Sequence, residues 1–139
     1  MTPRRSVEAD CSRRGLTAVV SGCIGILDGQ DPDDELLIAL AGPVAHAIIN
    51  GLSGGTRGYW PRVWAMRGLL YAWGDRAATA VIRGTTDEAW RVREMALKVI
   101  ARQRLGDAIQ AVAGLQADHV RRVRVAAERA LQALVTAQA

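Results

Sequence analysis

The chain has 139 residues, half of them apolar, with four Trp, two Tyr, no Phe and a formal net charge of +4. That length and apolar content suffice for one domain (1–139) to bury a core without staples. The two cysteines, Cys11 and Cys23, stand apart from any His or Cys at ligand spacing, which excludes a disulfide framework and a zinc site and points to the reducing cytoplasm. Residues 1–57 carry a net −2 and residues 58–139 a net +6, so the second half is the basic half. Seventeen of the eighteen basic residues are Arg, and Lys98 is the exception. Such a bias also follows from a GC-rich genome, which weakens arguments from arginine chemistry alone.

Residues 1–11 are polar and arginine-rich, and are expected to be flexible. Residues 12–58 read as divergent N-terminal or capping helices followed by a Gly-rich loop, and 59–139 as the clearest repeats. A first helix is expected from about Ser12 to Leu27. Arg13-Arg14 before its uncharged run superficially resembles a twin-arginine export signal. The run nevertheless contains Gly22 and Gly25, ends in Asp28 and precedes no small-x-small cleavage site. Asp31-Pro32-Asp33-Asp34-Glu35 is a helix start, with Asp31 as cap, Pro32 in the first turn and carboxylates at the positive end of the dipole. The helix it opens should reach about Ile49, kinked or split near Gly42-Pro43, and stop at Asn50-Gly51. The uncharged stretch Leu36 to Leu52 holds Pro43, His46 and Asn50 and falls short of the ~20 apolar residues of a spanning helix, so no membrane partner is expected.

The glycine-rich stretch Leu52 to Gly58 lacks the Lys-Ser/Thr of a phosphate loop and reads as a linker. Pro61 opens a helix running to about Trp73, where Gly74-Asp75 breaks it. Short helices over about 76–83 and 107–114 then alternate with long ones over about 88–103 and 119–135. Sustained period-two alternation is missing, so no sheet is expected.

The second half repeats itself. Asp87, Val92, Arg93, Ala96 and Ile100 recur as Asp118, Val123, Arg124, Ala127 and Leu131, an offset of 31 residues throughout. A fixed period in the range of ~20–50 residues is the signature of a solenoid whose units bury their apolar faces against one another. Val92, Met95, Ala96, Val99 and Ile100 share one helical face, as do Val123, Ala126, Ala127, Ala130, Leu131 and Leu134. The small residues Ala96 and Ala127 let helices approach, and a shift of 28 places Trp64, Gly68 and Ala72 over Val92, Ala96 and Ile100 as a degenerate earlier copy.

On these residues the chain resembles the HEAT-repeat family, most specifically over about residues 75–135. The earlier copy departs from the pattern, with Tyr59 and Ala65 at the shifted Asp and Arg positions. The resemblance implies an all-α fold: a short right-handed α-solenoid of about three HEAT-like helical hairpins with an extra N-terminal helix. It also implies that Asp87, Arg93, Asp118 and Arg124 form a structural ladder between neighbouring units. The Val-Arg helices would line the inner, concave side.

That inner side would collect most of the arginines and all the tryptophans. Arg91 matches Arg122 and Lys98 matches Arg129 under the same shift, all off the apolar seams. They could form two basic columns suited to phosphates or an acidic protein segment, or a solvated face with local pairs such as Glu94 to Lys98. Every aromatic lies between Tyr59 and Trp90, and Trp60, Trp64, Arg67 and Tyr71 form a stripe beside Val63, Met66, Leu70 and Trp73. Either that helix is sandwiched in a core or the stripe is a binding surface. His46 and His119 stand on distant segments, and Ser21 lacks a nucleophile context, so no catalytic residue, metal or cofactor is assigned.

The functional expectation is a non-enzymatic scaffold that binds a partner protein or peptide through Trp60, Trp64, Arg67, Trp90, Arg91, Lys98, Arg122 and Arg129. The rival is a nucleic-acid-binding protein, similar in kind to DNA-alkylation-repeat glycosylases. A homodimer is a further possible assembly, since an obvious polar first cap is missing.

Overall fold

The structure, a computed structural model, describes residues 1–138 and is all-helical, with no strand among the described residues. Ala139, the last residue of the expected domain, lies outside the described residues. Where the sequence reads as one domain, the helices divide into two compact units, Met1–Ala77 and Ala78–Ala139.

Within residues 1–11, expected to be flexible, Pro3 onward forms helix α1 (Pro3–Arg14). Thr2 caps it, its hydroxyl accepting the Arg5 N–H at 3.2 Å, and Pro3 occupies the first turn where no donor is needed. Val7 and Asp10 are buried. Arg13 and Arg14 reach the Asp10 carboxylate at 2.8 and 2.9 Å, and Arg14 also reaches Asp33 at 3.1 Å. With one apolar residue facing inward, the helix leaves almost no periodic signal. Gly15, at φ 93°, then breaks the chain between α1 and α2 (Leu16–Leu27). The expected single helix from Ser12 is therefore two, because that backbone angle is incompatible with a continuous right-handed helix.

Helix α3 (Asp34–Ala41) is capped by Asp33, whose Oδ1 accepts the Glu35 N–H at 3.2 Å, two residues later than the Asp31 expected. The interruption at Gly42-Pro43 is a short 3-10 turn before α4 (Ala45–Ile49). Helix α5 (Trp60–Gly68) ends sooner than expected and packs on α2 and α3. Its residues Val63, Trp64, Ala65, Met66 and Gly68 are all buried, so each apolar stripe contributes to the core of the first unit, while Trp60, Leu70, Tyr71 and Trp73 are half-buried. A Cβ at Gly68 would lie 2.6 Å from Leu40 Cδ2 and 3.3 Å from Cys23 Sγ, which explains the glycine.

The second unit holds α6 (Ala78–Gly84), α7 (Trp90–Gln103), α8 (Ile109–Leu115) and α9 (Arg121–Gln138). Helix α6 packs on α7 and α8 on α9, each pair joined across a short connection, while α7 and α9 pack most extensively. Val92, Ala96, Val99 and Ile100 are fully buried, as are Val123, Ala127 and Ala130; Met95 and Leu131 are half-buried. The 3.6-residue apolar spacing thus generates the seam, and each large side chain buried there contributes roughly 1.5–3 kcal/mol.

The two connections share one hydrogen-bond plan. Asp87 accepts the Ala89 N–H at 2.8 Å, and Asp118 accepts the Val120 N–H at 2.9 Å. Arg93 donates to the Asp87 carbonyl at 2.8 Å, and Arg124 donates to the Asp118 carbonyl at 2.8 Å. The rung between the hairpins is Arg93 with Asp118: Nε to Oδ2 at 2.9 Å and Nη2 to Oδ1 at 3.3 Å, both side chains buried. Burial opposes the Asp118 charge, but hydrogen bonds from Arg93 and the Val120 N–H, with attraction from Arg93 and His119, hold its carboxyl below the usual carboxylate range.

Candidate functional site: a basic groove on α7 and α9

The expected inner-face residues separate into two fates. In the first unit, Trp64, expected on a binding face, is 5% exposed and belongs to the core, where a partner cannot reach its ring. It stacks on half-buried Trp60 at 6.2 Å between ring centroids, and Trp60 in turn meets Tyr59 at 5.1 Å. Arg67 donates to the Leu40 carbonyl at 3.0 Å, and its burial pushes its pKa down. A guanidinium committed to the α3 backbone in this way packs the first unit rather than presenting a free cation to a partner. Nothing in a single amphipathic pattern distinguishes a second core-facing stripe from an exposed one, which is why the sequence left both open.

The second unit brings three of the other expected residues together in one groove. Lys98, Arg122 and Arg129 line a groove of about 570 Å3 between α7 and α9, joined by Arg121, which the sequence reading missed. Its floor is Leu97, Ala101, Val125 and Ala126, and Glu94 is the one acid in the lining. Lys98, Arg121 and Arg129 are exposed and have no ion pair among the described residues. The expected local pair between Glu94 and Lys98 does not form. Glu94 instead accepts Arg122 Nε at 3.0 Å across the two helices, with the Glu94 side chain 11% exposed and Arg122 65%.

Arg122 also lies against Trp90. The Arg122 guanidinium carbon lies 5.2 Å from the Trp90 ring centroid and that of Arg91 lies 4.4 Å from it. Each cation on the ring contributes on the order of 0.5–1 kcal/mol at such partly exposed positions. Trp90 thus fixes Arg122 at the groove's edge, and its face is engaged by the protein's own guanidinium groups. The missed Arg121 could have been found from the repeat, since it occupies the Trp90 position one period later.

Other candidate chemistry stays unassembled. No group of three or more His, Cys, Asp or Glu at metal-binding proximity occurs among the described residues. His46 and His119 are both exposed. Asp75 accepts the Trp73 indole N–H at 3.1 Å. Cys11 and Cys23 are free thiols, and burial pushes the Cys23 thiol up to about 12. No helix of the described residues is long and apolar enough to cross a membrane.

No protein-family model, curated protein or solved structure matches this chain.

Proposed function

We propose that the chain is a short right-handed HEAT-like α-solenoid of about three helical hairpins with an extra N-terminal helix. In this reading it works in the cytoplasm as a non-enzymatic scaffold that binds an acidic protein or peptide segment along the α7–α9 groove. The observation that carries the reading is the pairing of three unneutralised cations, Lys98, Arg121 and Arg129, with an apolar floor in one groove. Exposed basic columns raise the local concentration of acidic partners and steer their approach. The repeated Asp-turn and Arg plan, with the Arg93–Asp118 rung, supports the solenoid part of the reading.

A nucleic acid would use the same cations, but it leaves the apolar floor without a role, and Trp90 already carries the Arg91 and Arg122 guanidinium groups at 4.4 and 5.2 Å from its ring centroid. The test compares a labelled acidic, all-polar peptide, a basic peptide of equal length and a random DNA duplex on the wild type and on the double variant Lys98→Glu/Arg129→Glu. Both positions are exposed, so the melting temperature should hold. The acidic peptide should bind the wild type and lose at least about tenfold in the variant. Failure of the acidic peptide to bind would overturn the reading. Duplex binding that falls ~10³–10⁵-fold between about 50 and 200 mM salt would put the nucleic-acid function in its place.

A further inference from the structure

The chemistry of the groove narrows the occupant beyond its charge. The floor of Leu97, Ala101, Val125 and Ala126 is built from side chains of α7 and α9, whose backbone groups are spent on their own helices. An extended peptide laid on that floor would bury its N–H and C=O groups with nothing to receive them, at a cost of about 1–3 kcal/mol for each orphaned group. Strand addition is excluded for the same reason, since no strand edge exists among the described residues. A helix brings its own backbone hydrogen bonds and presents an apolar stripe at i, i+3, i+4 and i+7.

Size and charge agree with this. A groove of about 570 Å3 has room for several side chains, well above what one carboxylate requires. Arg122, Val125, Ala126 and Arg129 recur at three- to four-residue intervals on α9, so cations flank the apolar positions of that helix, while on α7 Lys98 lies one turn from Ala101. The complement is a helix with an apolar stripe flanked by carboxylates at the same spacing. Val125, 37% exposed in this structure, is the largest apolar side chain that such a helix would cover.

We infer that the groove binds an acidic amphipathic helix of a partner protein, its apolar stripe seated on the accessible Ala101 and Val125 above buried Leu97 and Ala126, and its carboxylates on Lys98, Arg121 and Arg129. The inference rests on the acidic-segment reading above and specifies the conformation and the anchor of the segment. Glu94 then acts as an internal carboxylate that holds Arg122 in place, so the partner's acids meet the other three cations.

The experiment uses the full chain and three synthetic peptides of about 18 residues, equal in net negative charge. The first carries Leu at helical-stripe spacing, the second has the same composition scrambled to break the stripe, and the third replaces each Leu by Gln. The striped peptide should bind at least about tenfold more tightly than the other two and gain helical circular dichroism on binding. Val125→Asn, a neutral change at a surface-accessible position, should cut striped-peptide affinity several-fold and leave the Gln peptide unchanged. Equal affinity for all three peptides, or tight binding of the striped peptide without helix formation, overturns the helix and anchor while leaving the acidic-segment reading standing. Binding of none overturns both.

Discussion

At the residue scale, two positions have sharply defined physics. Asp118 receives the Arg93 fork and the Val120 N–H, while its carbonyl accepts Arg124. Replacing it with Ala would strand a buried guanidinium left with the Asp87 and Glu88 carbonyls as acceptors. Breaking a buried pair from one side costs about 3–5 kcal/mol, and the two carbonyls put this case near the lower end. Denaturant unfolding of Asp118→Ala should therefore show a loss of about 3 kcal/mol; a loss under about 1 kcal/mol would mean the rung is not a stabilising contact. The pH dependence has a fixed sign. A carboxyl with its folded pKa below its unfolded value contributes stability that is present above the ordinary value of 3.8 and lost as pH falls through the folded one. Stability should decline from about pH 4 downward, and Asp118→Asn should remove part of that decline. Gly68 is the second position. A methyl there meets Leu40 and Cys23 in a packed core, so Gly68→Ala should cost about 1–3 kcal/mol despite its higher helix propensity.

At the element scale, the glycines divide by conformation, which gives a paired test. Gly15 has φ 93° with open space around it, so its substitution is opposed by backbone strain alone. Gly15→Ala should cost roughly 1–2 kcal/mol. Gly114 lies in α8 with nothing near a would-be Cβ and no positive φ, so Gly114→Ala should raise stability by about 0.5–1 kcal/mol. Thermal unfolding of both variants checks the pair, and a shift of the same sign in both would contradict the assigned backbone. The same contrast explains what was legible beforehand. The α7 and α9 seams were readable because Val92, Ala96, Val99 and Ile100, and their counterparts one period on, repeat a spacing that only a helix satisfies. Helix α1 was not, because it is held by Thr2, Val7 and the Asp10 carboxylate with Arg13 and Arg14, and polar contacts carry no period. Trp64 and Arg67 sat in a pattern equally compatible with core and surface, and their burial is decided by α2 and α3, which are distant in sequence.

At the scale of the whole molecule, the basic groove belongs to the half of the chain with net +6, while the other half carries net −2. The repeat made Arg91, Lys98, Arg122 and Arg129 visible as columns, yet the groove's floor and the Glu94–Arg122 pair emerged only once α7 and α9 were packed, since Leu97, Ala101 and Val125 lie off the apolar seams. Charge and floor should then separate in the kinetics of binding. Long-range attraction between a basic half and an acidic segment acts before contact and is screened over about 10 Å at 0.1 M ionic strength, so it governs the association rate. The apolar floor acts only after contact and governs dissociation. Stopped-flow mixing with the striped acidic peptide should show the association rate falling about tenfold between about 50 and 200 mM salt, with the dissociation rate changing little. Val125→Asn should reverse the pattern, speeding dissociation several-fold at unchanged association. An association rate insensitive to salt would mean that Lys98, Arg121 and Arg129 do not guide the partner, and the groove would then have to be understood through its apolar floor alone.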